Sequence, residues 1–250
     1  MNLKYITCSD PREFNDVRGI VNLAKISPRV EIAVQAHPSK MSLGMPRNEW
    51  FHELVEYIRR DKHDINLAIH VNREWCDEIC RTGKIPSELM EFFYVHNGDK
   101  LLIKRWQLNV PKETIPNINV KSLGCLFENN NHHDFIIQYN ANTQDMVSNL
   151  FWHSSADFSL LYDASGGRGI SPKTWQEPVF PFIPQGYSGG LSPENIQPNL
   201  DKINSVVPAN RDIWIDAEGK LKTDDKFDIV RARQYVLNAE NWITQNNKQR

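Results

Sequence analysis

The chain has 250 residues, 40% hydrophobic and 24% charged, a soluble globular balance with room for one large α/β domain or two small ones. Lys+Arg 29 against Asp+Glu 31 leaves a net charge of −2, so no global basic field argues for nucleic acid, and no apolar run approaches a membrane-spanning length. The 4 cysteines are too few for a disulfide framework, and "MNLKYITCSDPREF" lacks the apolar core of a secretion signal, so a reducing cytoplasm is the expected setting.

In chain order, "KYITCS" (4–9) reads as a first strand. "VEIAVQAH" (30–37) is a second, followed by a helix in which Trp50, Phe51, Leu54, Val55 and Ile58 share one face. "INLAIHV" (65–71) alternates Ile65, Leu67, Ile69 and Val71 on one side, and the helix "NREWCDEICRTG" after it ends at Gly83. "LIKRWQLNV" (102–110) is a fourth strand inside an irregular middle, 84–134, expected to hold extended connections. "FIIQYN" (135–140), "FSLLYDAS" (158–165), "PFIPQGYSGG" (181–190) and "IWIDAEG" (213–219) complete the strands. Ser192 is the expected N-cap of the helix after the seventh, with Pro193 in its first turn. Ile229, Ala232, Val236 and Ala239 form the stripe of a last helix.

Eight strands in βα alternation is the count of a (β/α)8 TIM barrel, a single α/β domain over 1–250. A doubly wound open sheet would show the same alternation, because periodicity does not report closure. In a barrel the chemistry sits at the C-terminal strand ends. Here those ends carry Cys8 and Ser9, His37, His70 with Asn72, Gln107 with Asn109, and Gln138 with Asn140. Asp163, then Gly189 with Gly190, and finally Asp216 with Glu218 follow.

"LLYDASGGRG" (160–169) has two readings: Asp163 as a turn former ahead of a glycine loop, or as an acid at the mouth of an anion site. "GYSGGLSPENI" is the sharper anion signal, since a Gly-Gly turn exposes backbone N–H groups ahead of a helix N-terminus. Cys8 is either a small buried strand residue or a thiolate base paired with Asp163. Cys76 and Cys80, one helical turn apart, read as core, and no second pair supports a metal. His132 and His133 read as a solvated loop. Lys40 and Arg47, after the second strand, are candidates for a substrate carboxylate or plain surface charges.

Taken together, these segments resemble phosphoribosylanthranilate isomerase, a (β/α)8 enzyme of tryptophan biosynthesis, in order along nearly the whole chain. "SGGLSPENI" resembles that family's seventh strand and phosphate-binding turn, and "LLYDASGGRG" its acid and glycine-rich loop. The resemblance implies Cys8 as general base and Asp163 as general acid, with Gly167, Arg168, Gly169, Gly189 and Gly190 at the phosphate. It implies Lys40 or Arg47 at the substrate carboxylate and Asp216 at the substrate.

The sequence departs from the family in having Ser9 after the cysteine, Asn109-Val110 in place of His-Gly, and Arg168 and Glu218 near the phosphate. The implied activity is an Amadori rearrangement: the acid opens the ribose ring to a Schiff base, and the base takes the C2′ proton. It needs no metal or organic cofactor. The implied partner is a small phosphosugar, with no nucleic acid or membrane, on a monomer or homodimer. Two alternatives stand beside it: another phosphosugar or small-acid enzyme on the same barrel, and a non-catalytic ligand-binding barrel.

Overall fold

The computed structural model describes residues 1–163 and 168–247. Eight parallel strands close into a barrel, each beside its neighbour in the chain and the last beside the first. They are β1 (Asn2–Ser9), β2 (Val30–Ala36), β3 (Asn66–Val71), β4 (Ile103–Leu108), β5 (Asp134–Tyr139), β6 (Ser159–Tyr162), β7 (Gln185–Ser188) and β8 (Asp212–Ala217). Closure decides between the barrel and the open sheet. The α-helices longer than one turn are α1 (Val17–Ala24), α2 (Pro46–Arg60), α3 (Arg73–Thr82), α4 (Val120–Asn129), α5 (Gln144–His153), α6 (Ile196–Val206) and α7 (Ile229–Asn247). None among the described residues is long and apolar enough to cross a membrane.

Strand alternation sorts side chains between two environments. On β2, Val30, Ile32, Val34 and Ala36 belong to the main core between barrel and helices, where α2 also buries Trp50, Phe51, Leu54, Val55 and Ile58. Glu31 and Gln35, on the other face of β2, point into the barrel. The floor of the barrel is polar. Arg105 donates to Glu31 at 2.7 Å and to Asp134 at 3.0 Å, and its guanidinium lies 4.4 Å from the ring centroids of both Tyr5 and Trp214. Trp214 needs the space left by Gly186, where a Cβ would fall 2.1 Å from its ring.

The structure departs from the expected elements in four places. The stretch 84–134 contains an antiparallel hairpin (His96–Asn97 with Lys100–Leu101) and the ten-residue α4 as well as β4. Val120, Leu123, Leu126 and Phe127 carry the helical spacing of α4, and Asn119 caps it by accepting the Ser122 N–H at 3.0 Å. Ser192 does not cap α6. Its N–H donates to Asn195 Oδ1 (2.8 Å), and this asparagine turn delays the helix to Ile196.

His133 is buried, its ring 4.0 Å from that of Phe93, because the loop folds back under β4; it is not a solvated residue. Between β6 and β7 the described residues form no helix. Pro172, Pro178, Pro181 and Pro184 block one there, and aromatic rings hold the segment instead. Trp175 packs at 5.8 Å against Tyr187 and Phe180 stacks at 4.5 Å on Phe151.

Candidate active site

A cavity of about 170 Å³ opens at the C-terminal strand ends, lined by Gln35, His70, Gln107, Gln138, Asp163 and Asp216 among others. Five come from inward positions of their strands and Asp163 continues the inward phase of β6, so the wall is polar by the phase of the alternation. His70 is buried, and that burial, with the charge of Arg105, pushes its pKa down to about 3. It is therefore a neutral ring at physiological pH.

Cys8 is not part of this cavity wall. On β1 the hydroxyls of Thr7 and Ser9 reach Glu31 (2.7 Å) and Asp216 (2.5 Å), both inside the barrel. Cys8 lies between them and so faces outward, fully buried in the main core together with Tyr235 of α7. Burial above all, with the charges of Asp216 and Glu31 adding, holds its thiol far above the usual range. The structure thus brings Asp163 and Asp216 together and leaves Cys8 on the other face of the wall. Cys8→Ala is expected to cost stability through a small cavity and to leave turnover within about threefold. A drop of about 10²-fold or more, the scale of a lost acid–base group, would return the thiol to the chemistry.

Asp216 is buried and receives the Ser9 hydroxyl. Burial raises its pKa to about 7 against the opposing Ser9 bond, and the charges of Glu218, Glu31 and Asp163 add to the rise. Asp163, also buried, accepts the Gln138 N–H at 2.9 Å. It sits just past β6, with its backbone N–H bonded to the Tyr139 carbonyl at 3.0 Å. This is the inward placement the sequence left open. The two carboxyl groups flank β7, and the negative charge of Asp163 is one of the influences that keep the proton on Asp216.

The turn at the end of β7 has both glycines at positive φ, 118° for Gly189 and 62° for Gly190. The chain after β6 presses against it: a Cβ on Gly190 would come within 2.6 Å of the Ser171 nitrogen. Arg168, Gly169, Gly189, Gly190 and Lys220 line the same side of the cavity. Gly167 lies outside the described residues. Glu218, a concern for any anion here, is neutralised: Lys222 donates to it at 2.8 Å and Gln35 at 2.9 Å. Lys222 also bonds the buried Asp10 at 2.8 Å, so one ammonium ties two carboxylates.

A wider outer groove of about 570 Å³ adjoins the cavity and is lined by Arg12, Lys40, Arg47, Arg73 and Lys112 among others. Lys40 is exposed. Arg47 is buried and committed to Asp10 and Glu13, each at 3.4 Å, so its charge is already answered by the protein.

The sequence marked Ser9 only as a polar strand end and missed Gln35 and Lys222. Gln35 was signalled by its even spacing from the inward Glu31, whereas nothing marked Lys222 before the turn after β8 was known. Amides on β2 to β4 form a chain. Gln107 donates to Asn109 at 2.9 Å, Asn109 to Asn72 at 2.9 Å, Asn72 to Gln35, and Gln35 to Glu218.

No family model and no curated protein matches the chain. Solved structures do. Phosphoribosylanthranilate isomerase from Thermotoga maritima is 14% identical at a TM-score of 0.49, covering 94% of this chain and 99% of that one. Monomers generated from that dimeric enzyme are 13% identical at a TM-score of 0.49, covering 95% and 99%. A protein from Aquifex aeolicus VF5 is 13% identical at a TM-score of 0.51, covering 96% and 93%, a likeness of fold.

Proposed function

We propose that the chain is a phosphosugar isomerase of the phosphoribosylanthranilate isomerase kind, performing an Amadori rearrangement on a phosphoribosyl amine. One observation carries the reading: two inward carboxyl groups, Asp163 and Asp216, flank the strand that ends in the Gly189-Gly190 turn. The phosphate would lie at that turn, with Arg168 and Lys220 as its cations.

The environments of the two carboxyls divide the roles. Asp216 keeps its proton to about pH 7 and can give it to the ribose ring oxygen, leaving a Schiff base. Asp163, held by the Gln138 amide, takes the C2′ proton to leave an enolamine. The enol then loses its hydroxyl proton as C1′ gains one, so the product ketone is an isomer of the substrate. This exchanges the role that the resemblance implied for Asp163 and gives the thiol none.

The test uses ribose 5-phosphate with anthranilate, aniline or glycinamide, which form phosphoribosyl amines in solution, followed by NMR. Ketose should appear faster than in protein-free controls with at least one amine, and the gain should vanish in Asp163→Asn. No acceleration with any of them overturns the reading.

A further inference from the structure

We infer that the amine half of the substrate is a polar group rich in hydrogen-bond acceptors and not an aromatic ring; this rests on the phosphosugar reading above. The observation is the amide chain on β2 to β4, and its direction is not arbitrary. The Glu218 carboxylate takes the Lys222 ammonium on one oxygen and, on the other, can only accept, so Gln35 must turn its NH₂ toward it. The Gln35 carbonyl oxygen then faces Asn72 and accepts from it. Asn72 also donates to the His70 backbone carbonyl at 2.8 Å, which fixes its orientation a second time. Its own oxygen therefore accepts from Asn109, whose oxygen accepts from Gln107.

Every side-chain carbonyl from Gln35 to Asn109 is thus met by the next amide. What Gln35 and Asn109 retain is a second N–H each, at the cavity wall. Gln107 approaches His70 Nδ1 at 3.5 Å, which makes that nitrogen an acceptor and puts the ring proton on Nε2. Donors predominate on this wall. Apolar lining of the inner cavity comes from Leu161, Leu191 and Ala217, all on the β6 to β8 side. From β2 to β4 it is polar: Gln35, His70, Gln107 and Asn109.

An aryl ring placed there would strip water from the donors and offer nothing in return. Carbonyl, hydroxyl or carboxylate oxygens would satisfy them. Lys40, Arg73 and Lys112 in the adjoining groove favour the same choice, and a negative charge at its far end.

Reductive amination of ribose 5-phosphate gives stable probes with one phosphosugar half and different amine halves. The three are the parent 1-amino-1-deoxyribitol 5-phosphate, its N-phenyl derivative and its N-carbamoylmethyl derivative. Calorimetric titration should show the carbamoylmethyl probe binding about tenfold or more tightly than the phenyl one. Asn109→Leu and Glu218→Gln should each shrink that ratio, the first by removing a donor and the second by releasing the direction of the chain. Equal or tighter binding of the phenyl probe overturns the inference while the phosphosugar reading stands. A parent that binds no better than inorganic phosphate overturns both.

Discussion

Asp216→Asn should lower kcat by about 10²–10⁴-fold, the span of a lost general acid. In the wild type, kcat/KM should fall as pH rises through about 7, because the acid works only while protonated and the free enzyme's acid titrates there. The same substitution should stabilise the fold at alkaline pH. The folded Asp216 is pushed up to about 7 from the ordinary aspartate value of 3.8, so the native state binds the extra proton between those limits. Its stabilising contribution is complete below the unfolded carboxyl range and lost as pH climbs through about 7. An asparagine carries no such titration. Relative to wild type it should gain up to about 4 kcal/mol between pH 4 and pH 8, read from denaturant melts at the two pH values. A kcat/KM that rises through neutrality would hand the donor role back to Asp163.

Arg105→Met should be the most damaging single change in the barrel floor. The guanidinium is enclosed by two aromatic faces and bonded to Glu31 and Asp134, with Thr7 and Ser159 as further donors to those carboxylates. Removing it strands Glu31, which is as deeply buried as the arginine. The expected loss is about 3–5 kcal/mol, a fall of roughly 6–20 °C in Tm for a chain of this size. Pairing it with Glu31→Met removes the stranded charge and should recover most of the loss. A melting temperature within a degree or two of wild type in the single variant would show that the floor is not held by this charge cluster.

The barrel was legible because eight short apolar segments recur between turns in βα alternation, whereas closure itself came only with the strand pairing of β1 to β8. Asp163 was legible in position because it ends an apolar run. The facing of Cys8 stayed open for a physical reason: Ile6 to Ser9 are all buried, so no exposed residue sets the phase at the end of the strand. Only the partners of Thr7 and Ser9, distant in the chain, show which residues face the lumen. The roles proposed here for Asp216 and Asp163 were likewise out of reach, since they rest on the burial of Asp216 and on the Gln138 amide at Asp163. The helix α4 was hidden by the asparagines and histidines around it, and the β6–β7 connection was obscured by reading the prolines near 181–184 as part of a strand.

That connection has a consequence for how the cylinder comes apart. Strands β6 and β7 have four residues each, where β1 has eight and β2 seven, and among the described residues no helix connects them. Aromatic rings hold that connection instead, and ring contacts are released one at a time, without the cooperativity of a helical ladder. The section of wall bearing Asp163 is therefore expected to exchange its amide hydrogens before the rest of the barrel. It can open while the opposite half, with Glu31, Arg105 and the amide chain, stays shut, so a ligand that bridges the Gly189-Gly190 turn and the far wall would stitch the least cooperative part of the protein to the most cooperative.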